Sequence, residues 1–189
     1  MDKRFVGVTK QEFDFSCGSA ALATLLNEFY GHSVDEKDVL TAMYDAGDQK
    51  AIKLKGFSLL DMRSYLTSIG YSADGYRAPL DKLIKAGIPA LALINSKGYS
   101  HFVVVGGVSN DSVILLDSAK GKRVVRREEF EEQWNGILFI IHDNMKLAGK
   151  SFNTKKQWAS HLQARFNVNL NDRDLASIGI ATAHTPGYY

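Results

Sequence analysis

Cys17 is the only cysteine in the 189-residue sequence, so any thiol chemistry must use it. It stands where a helix of apolar residues begins, and the unpaired backbone N–H groups and dipole of a helix N-terminus favour an anion there. The two residues that follow, Gly18 and Ser19, are small enough to let a substrate backbone lie close to the sulfur. The pattern predicts a reactive thiolate with Gly18 and Ser19 in contact with substrate, and an inert core cysteine is the alternative.

Gln11 lies six residues before Cys17, in a polar and aromatic segment that leads into the helix. Its side-chain N–H2 and the backbone N–H of Cys17 can supply two donors to the oxygen of a tetrahedral intermediate. Acyl transfer needs such donors, so we predict that Gln11 stabilises the oxyanion. A surface glutamine without this role is the alternative.

His101 opens an aliphatic strand, and Asp117 closes the next predicted strand sixteen residues later. Antiparallel pairing of two consecutive strands brings the start of the first close to the end of the second. A carboxylate at that position can accept the ring N–H and fix the orientation of the imidazole. The sequence therefore predicts Cys17 as nucleophile, His101 as its base and Asp117 as the residue that orients the base. A structural histidine and a turn aspartate are the alternatives.

The first half of the sequence predicts helices that would position the cysteine. Apolar residues lie on one stripe at helical spacing between residues 18 and 30. Ser33 and Glu36 have the spacing of a capping box, which predicts a second helix that ends near Gly47. A third helix is predicted between residues 58 and 70.

The second half predicts strands that would carry the histidine and the aspartate. From residue 89 onward, short aliphatic or β-branched segments alternate with turn residues. The four predicted strands are residues 90–94, 102–105, 113–116 and 137–141, and a short acidic helix is predicted at 127–134. Helices first and an antiparallel sheet second indicate an α+β fold.

Composition excludes several classes of partner. The 23 basic and 21 acidic residues nearly cancel, and neither sign forms a run that would bind nucleic acid or a membrane surface. No stretch approaches the roughly 18 apolar residues of a membrane span. No metal-ligand spacing or phosphate-binding loop is present, so we expect no metal and no cofactor. Peptides or proteins are the expected partners.

We predict two regions, a domain at residues 1–144 and a C-terminal extension at 145–189. The extension is polar, with a helix predicted from Thr154 to Phe166 that has Trp158 and Leu162 on the same side as Phe166. A docked or frayed terminus is the simpler interpretation, and an arm that binds a partner is the alternative. The N-terminus lacks the apolar core of a secretory signal, which leaves the compartment open.

These residues resemble the peptidase family that removes double-glycine leader peptides, best known as the N-terminal domain of bacteriocin exporters. The resemblance covers about Val8 to His142. It rests on Gln11 six residues before Cys17-Gly18, on His101-Phe-Val-Val-Val, on Asp117-Ser-Ala-Lys-Gly121, and on the later Glu129-Phe130 and Trp134-Asn-Gly136. Two positions depart from the family pattern: Ser16 replaces an acidic residue often found before the cysteine, and Ser118 replaces a proline that commonly follows the aspartate.

The resemblance implies a papain-like fold and a cysteine endopeptidase that cleaves after small residues such as Gly-Gly. Because the chain has neither the membrane spans nor the ATPase of the exporters, it is similar to stand-alone relatives that accompany secretion or functional-amyloid systems. That likeness implies a substrate from such a system and a periplasmic location, with the cytoplasm as the alternative. Two other functions stay open: a non-cleaving substrate- or leader-binding module, and a papain-like acyltransferase or amidase.

Overall fold

The computed structural model describes residues 3–12, 16–96 and 98–159 of the chain. Its helices are the 3-10 helix η1 (Lys3–Phe5), α1 (Cys17–Phe29), α2 (Glu36–Ala46), α3 (Gln49–Lys55), α4 (Leu59–Ser68), α5 (Asp81–Ala86), α6 (Arg127–Gln133) and α7 (Met145–Gly149). Its strands are β1 (Ala73–Arg77), β2 (Ala90–Ser96), β3 (Tyr99–Val108), β4 (Ser112–Asp117), β5 (Gly121–Arg126) and β6 (Trp134–Ile141). The predicted α+β class is confirmed.

The six strands form one antiparallel sheet in the order β1-β6-β2-β3-β4-β5. The central strands β3 and β4 are aliphatic and buried almost throughout, as expected for strands covered on both faces. Their register places Val104 opposite Leu116. Asp117 follows Leu116 directly and His101 lies three residues before Val104, so both residues lie at the same end of the sheet.

Helix α1 packs against β3 and is buried on almost every side. Its Phe29 ring lies 3.3 Å from the position that a side chain on Gly106 of β3 would occupy, so the glycine allows this close approach. The stripe of apolar residues predicted between 18 and 30 is present, but the surrounding residues are buried too. A helix enclosed in this way holds its N-terminal residue, Cys17, in a fixed position.

The two edge strands, β1 and β5, are not predicted from the sequence. Only Ala73 of β1 is fully buried, and β5 is half-buried along most of its length, so neither strand has the continuous aliphatic pattern of the central ones. Helix η1 packs against β5 at Gly121. A side chain on Gly121, whose φ is +83°, would lie 2.5 Å from the backbone oxygen of Arg4, which explains why a glycine stands there.

The capping box predicted for Ser33 and Glu36 is wrong. The residue that caps α2 is Asp35, whose carboxylate accepts the backbone N–H of Lys37, and Glu36 is the first residue of the helix. Asp35 precedes the helix directly and competes successfully for the capping position, because carboxylates satisfy unpaired N–H groups well. Glu36 is consequently released from capping and turns into the interior, where it is only 4% exposed.

The described part of the predicted C-terminal extension packs on the sheet. The Asn153 side chain donates a hydrogen bond to the Val108 carbonyl at 3.0 Å, and the indole of Trp158 donates to the Asn153 side-chain oxygen at 2.9 Å. Phe152 and Trp158 are buried in the main core. Residues 155–159 are helical, whereas Leu162 and Phe166 of the predicted helix lie outside the described residues. The division at residue 144 stays a prediction.

Candidate active site

Cys17 is the first residue of α1 and is only 7% exposed. Ser16, which precedes it, makes no capping hydrogen bond with its side chain, but its carbonyl accepts the first helical hydrogen bond from Ala20 at 3.0 Å. The unpaired backbone N–H groups of the first turn lie at the end of the helix where Cys17 stands and where the helix dipole is positive. This arrangement favours a negative charge on an oxygen bound beside the sulfur.

His101 and Asp117 form a buried hydrogen-bonded pair. The Nε2 atom of His101 lies 2.8 Å from Oδ1 of Asp117, and the two side chains are 8% and 0% exposed. A carboxylate can only accept, so Nε2 carries the proton in this bond. The ring of Tyr99, two residues earlier on β3, stacks against the imidazole with 6.3 Å between ring centroids. The predicted pairing of a residue that opens one strand with a residue that closes the next is present.

The second ring nitrogen of His101 is available for the thiol. Nδ1 is buried and has no hydrogen-bond partner among residues 3–12, 16–96 and 98–159, and because Nε2 binds Asp117 it is the nitrogen left to face Cys17. Burial lowers the pKa of His101, but the interactions with Asp117 and Cys17 outweigh it and raise the pKa from 6.5 to about 9. The contribution of Cys17 to this pKa shift means that the thiol lies close enough to interact with the ring. The imidazole is charged at neutral pH.

Asp117 stays ionised because donors surround it. Burial raises its pKa, but the His101 hydrogen bond and charge, the backbone N–H of Ala119 and the charge of Arg123 outweigh burial and lower the pKa to about 2. Oδ1 also accepts the N–H of Lys120 at 3.1 Å, in the turn that follows the strand. Oδ2 accepts two N–H groups of Arg123, at 3.3 and 3.1 Å. The carboxylate is fixed from several directions.

Gln11 lies at the same end of the sheet as Asp117. Its backbone N–H donates to the Ser118 carbonyl at 3.1 Å, and its side-chain oxygen accepts the Ser118 hydroxyl at 3.1 Å. The amide oxygen is thereby directed toward Ser118, so the N–H2 end of the side chain is the end that can serve as a donor elsewhere. Its predicted role at an oxyanion remains a prediction.

The predicted substrate-contact residues Gly18 and Ser19 are both buried. A side chain on Gly18 would lie 2.9 Å from the Met62 side chain and 3.0 Å from Phe57, so packing of α1 is sufficient reason for a glycine here. The Ser19 hydroxyl donates to the Ser16 carbonyl at 2.9 Å and lies 3.1 Å from Oε1 of Glu36. The structure thus ties both residues to the protein interior, and their contact with substrate stays a prediction.

Two residues beside this site, Arg123 and Glu36, are not predicted from the sequence. Arg123 belongs to an edge strand whose polar pattern hides it, and Glu36 has the spacing of a capping residue. Within the described part of the chain, no group of three or more histidine, cysteine, aspartate or glutamate side chains is placed to hold a metal ion. What the geometry does provide is a thiol, a charged imidazole and a carboxylate in sequence, which is the arrangement of nucleophilic acyl transfer.

Residues 6–146 match the Peptidase C39 family. The chain belongs to this family. Over 140 residues it is 41% identical to the probable functional amyloid protease FapD of Pseudomonas fluorescens, and 40% identical to the protein of the same name from Pseudomonas aeruginosa. Each match covers 74% of this chain and 62% of the relative, so the chain spans less than two thirds of the length of these relatives.

Solved structures of the family share the fold. The peptidase domain of Streptococcus ComA, a bifunctional ABC transporter, matches with a TM-score of 0.60 and 19% identity, over 71% of this chain and 96% of that one. A double-glycine-motif protease from an AMS/PCAT transporter, solved in complex with its leader peptide, matches with a TM-score of 0.58 and 27% identity. That match covers 71% of this chain and 89% of the other. The papain-like α+β fold expected from the sequence is confirmed.

Among residues 3–12, 16–96 and 98–159, every helix is too short or too polar to cross a membrane.

Proposed function

We propose that this protein is a cysteine endopeptidase that cleaves a peptide bond after small residues, such as Gly-Gly, in a secreted or leader-bearing protein. The observation that carries the proposal is the position of Cys17 at the N-terminus of α1, beside an imidazole that Asp117 orients through Nε2. Membership of a peptidase family and the protease names of its relatives support the same reaction.

In the first half of the proposed reaction, the Cys17 thiolate attacks the carbonyl carbon and forms a C–S bond. The oxyanion accepts hydrogen bonds from the Cys17 backbone N–H and the Gln11 side-chain amide. The protonated His101 then gives its Nδ1 proton to the leaving nitrogen as the C–N bond breaks. A thioester and a free amine result.

In the second half, water hydrolyses the thioester. Neutral His101 accepts a proton from water through Nδ1, the oxygen adds to the thioester carbon, and the C–S bond breaks to release a carboxylic acid. The Asp117 carboxylate holds the Nε2 proton throughout, so the ring presents the same nitrogen to each step. Cys17 and His101 return to their starting states.

The substrate class and compartment are part of the proposal. The identity to two proteins named functional amyloid proteases supports a protein substrate from an amyloid or secretion system, and such a system supports a periplasmic location.

The decisive experiment compares the protein with its Cys17→Ala variant on synthetic peptides that contain Gly-Gly, with products located by mass spectrometry. We expect cleavage after the second glycine by the unaltered protein and none by the variant, since no other cysteine is present. A matched peptide with Val-Val in place of Gly-Gly should remain intact. Cleavage that survives in Cys17→Ala, with circular dichroism unchanged, would falsify the assignment of the nucleophile. Tight peptide binding without cleavage by the unaltered protein would instead identify a binding module.

A further inference from the structure

We propose that Arg123 is a positioning residue for this site: its guanidinium fixes the Asp117 carboxylate in place and thereby aligns His101 with Cys17. The inference rests on the proposed function, because alignment matters for a reaction at Cys17. Arg123 itself is not placed in contact with the reacting atoms, and its effect passes through Asp117 and His101.

The contact between Arg123 and Asp117 is a double hydrogen bond between opposite charges. Nε and Nη2 of Arg123 lie 3.3 and 3.1 Å from Oδ2 of Asp117. The other carboxylate oxygen, Oδ1, accepts Nε2 of His101 at 2.8 Å. The guanidinium and the imidazole thus hold opposite ends of one buried carboxylate, and any rotation of the carboxylate about its own axis would break both contacts. Charge-assisted bonds of this kind are the stronger class of hydrogen bond.

The sheet register brings Arg123 to this position. Gly121 pairs with Asp117 and Arg123 pairs with Leu115, so Arg123 is the diagonal cross-strand neighbour of Asp117 on the same face of the sheet. Leu115 and Phe130 of α6 line the surroundings of the arginine on that face. A rigid strand rather than a loop therefore carries the guanidinium, as a group that must hold another in place requires.

Several charged side chains of the described residues surround this pair. His101 faces Asp117 and Cys17, with Tyr99 stacked on its ring, and the largest charge effects on Asp117 come from His101 and Arg123. Glu129 of α6 lines the same pocket as Arg123. Arg123 is 28% exposed at its side chain, so it can be replaced without leaving a large buried cavity. Removal of its positive charge makes the carboxylate easier to protonate and makes a negative sulfur nearby less favourable. Both effects move the formation of the Cys17 thiolate to higher pH.

The test is the pH dependence of alkylation of Cys17, the sole cysteine, by iodoacetamide. The reaction rate reports the thiolate and depends on no peptide substrate. The alkylation rate rises with pH as the thiolate forms. In Arg123→Met we expect the midpoint of this rise to lie about half a pH unit higher, because one nearby, partly screened positive charge is lost. Arg123→Gln, which also lacks the charge but keeps polar character, should shift it in the same direction, whereas Arg123→Lys should leave it in place.

Arg126→Met is the matched control, because Arg126 stands on the same strand and its side chain is 77% exposed. We expect no shift in this variant. If both charge-removing variants at position 123 keep the midpoint of the unaltered protein, or if Arg126→Met shifts it equally, the proposal fails. A lower rate at every pH with an unmoved midpoint counts against it too, since a merely structural role would have that effect.

Cleavage kinetics provide the second measurement. We expect Arg123→Met to lower kcat about tenfold with KM unchanged, because alignment affects the chemical step more than binding. If the unaltered protein cleaves no peptide but the Arg123 variants show the alkylation shift, the proposed peptidase activity is contradicted and Arg123 is still supported as the residue that positions Asp117. If the unaltered protein cleaves the peptide but the Arg123 variants show no alkylation shift, the peptidase activity is supported and the role of Arg123 is contradicted.

Discussion

Asp117 and Glu36 are two buried carboxyl groups beside the candidate active site, yet their pKa values move in opposite directions. Asp117 is 0% exposed and Glu36 is 4% exposed, so burial alone would raise both. The pKa of Asp117 is instead lowered to about 2 by His101, by backbone N–H groups and by Arg123. The pKa of Glu36 is raised, with burial as the largest cause.

The difference lies in the number and charge of the donors. Asp117 accepts five N–H groups, two of them from a guanidinium and one from an imidazole that is charged at neutral pH. Glu36 has the neutral hydroxyls of Ser16 and Ser19, and within the described part of the chain its Oε2 atom is buried without a hydrogen-bond partner. The nearby acidic residues Glu12 and Asp35 oppose its ionisation further. The number and charge of the donors, and not the depth of burial, therefore decide the direction in which each pKa moves.

The largest effect is expected from Asp117→Asn. The amide cannot balance the charges of His101 and Arg123, and it does not hold the Nε2 proton in place as a carboxylate does. We expect kcat to fall by about 100-fold or more, by analogy with other triads. The free energy of unfolding should fall by about 3 kcal/mol, the usual cost of removing one partner from a buried ion pair. Peptide cleavage assays and urea denaturation measure the two effects.

Asp111→Asn is the matched control for this substitution, because Asp111 is exposed and is bonded to Arg127 through its backbone carbonyl. It should leave both kcat and stability unchanged. If Asp117→Asn retained most of the activity and stability, the five hydrogen bonds would not be what distinguishes this carboxyl from Glu36.

A smaller effect is expected from pH. Burial lowers the pKa of His101, but Asp117 and Cys17 raise it overall to about 9. A group with a raised pKa stabilises the fold fully below its unfolded pKa, near 6.5 for histidine, and this stabilisation is lost as the pH rises through the folded pKa. We therefore expect the free energy of unfolding to decline by roughly 2 kcal/mol between pH 6.5 and 9.5. Urea denaturation at several pH values measures it.

The decline should disappear in His101→Gln and persist in His142→Gln, whose histidine is only partly buried. A decline of equal size in both variants would assign it to other groups. Asp117 also makes the free energy of unfolding depend on pH, but in the acidic range. Its lowered pKa implies stabilisation that is present above about pH 4 and lost as the pH falls toward 2.

How much of the site the sequence predicts depends on the pattern that carries each residue. The pairing of His101 with Asp117 is predicted because His101 lies near the start, and Asp117 at the end, of a buried aliphatic strand. Such strands are easily recognised in a sequence. Arg123 is missed because β5 is an edge strand with a polar, half-buried sequence. Its register to Asp117 exists only once the sheet has formed, and no local pattern encodes it.

Glu36 shows the opposite failure, in which a local pattern is present and misleading. Its spacing from Ser33 is that of a capping box, but Asp35 caps α2 and leaves Glu36 to enter the interior. Its partner Ser19 belongs to α1 and lies seventeen residues away along the chain. A capping box does occur in the protein, at Ser58 and Asp61, where no adjacent residue competes for the cap.

The smallest effect is expected from Glu36→Gln, and it tests the other half of the comparison. The pKa of Glu36 is raised above the ordinary value, so its ionisation destabilises the fold, and stability is lost as the pH rises from about 4 upward. The amide can still accept from Ser19 but cannot ionise. We expect the Glu36→Gln variant, relative to the unaltered protein, to be more stable at pH 8 than at pH 4, as measured by urea denaturation at both values. Glu128→Gln, at an exposed position, should show no such pH-dependent gain. If Glu36→Gln, relative to the unaltered protein, were instead less stable at pH 8 than at pH 4, Glu36 would be a carboxylate that the protein stabilises, like Asp117. The number of donors would then not explain the difference between the two carboxyl groups.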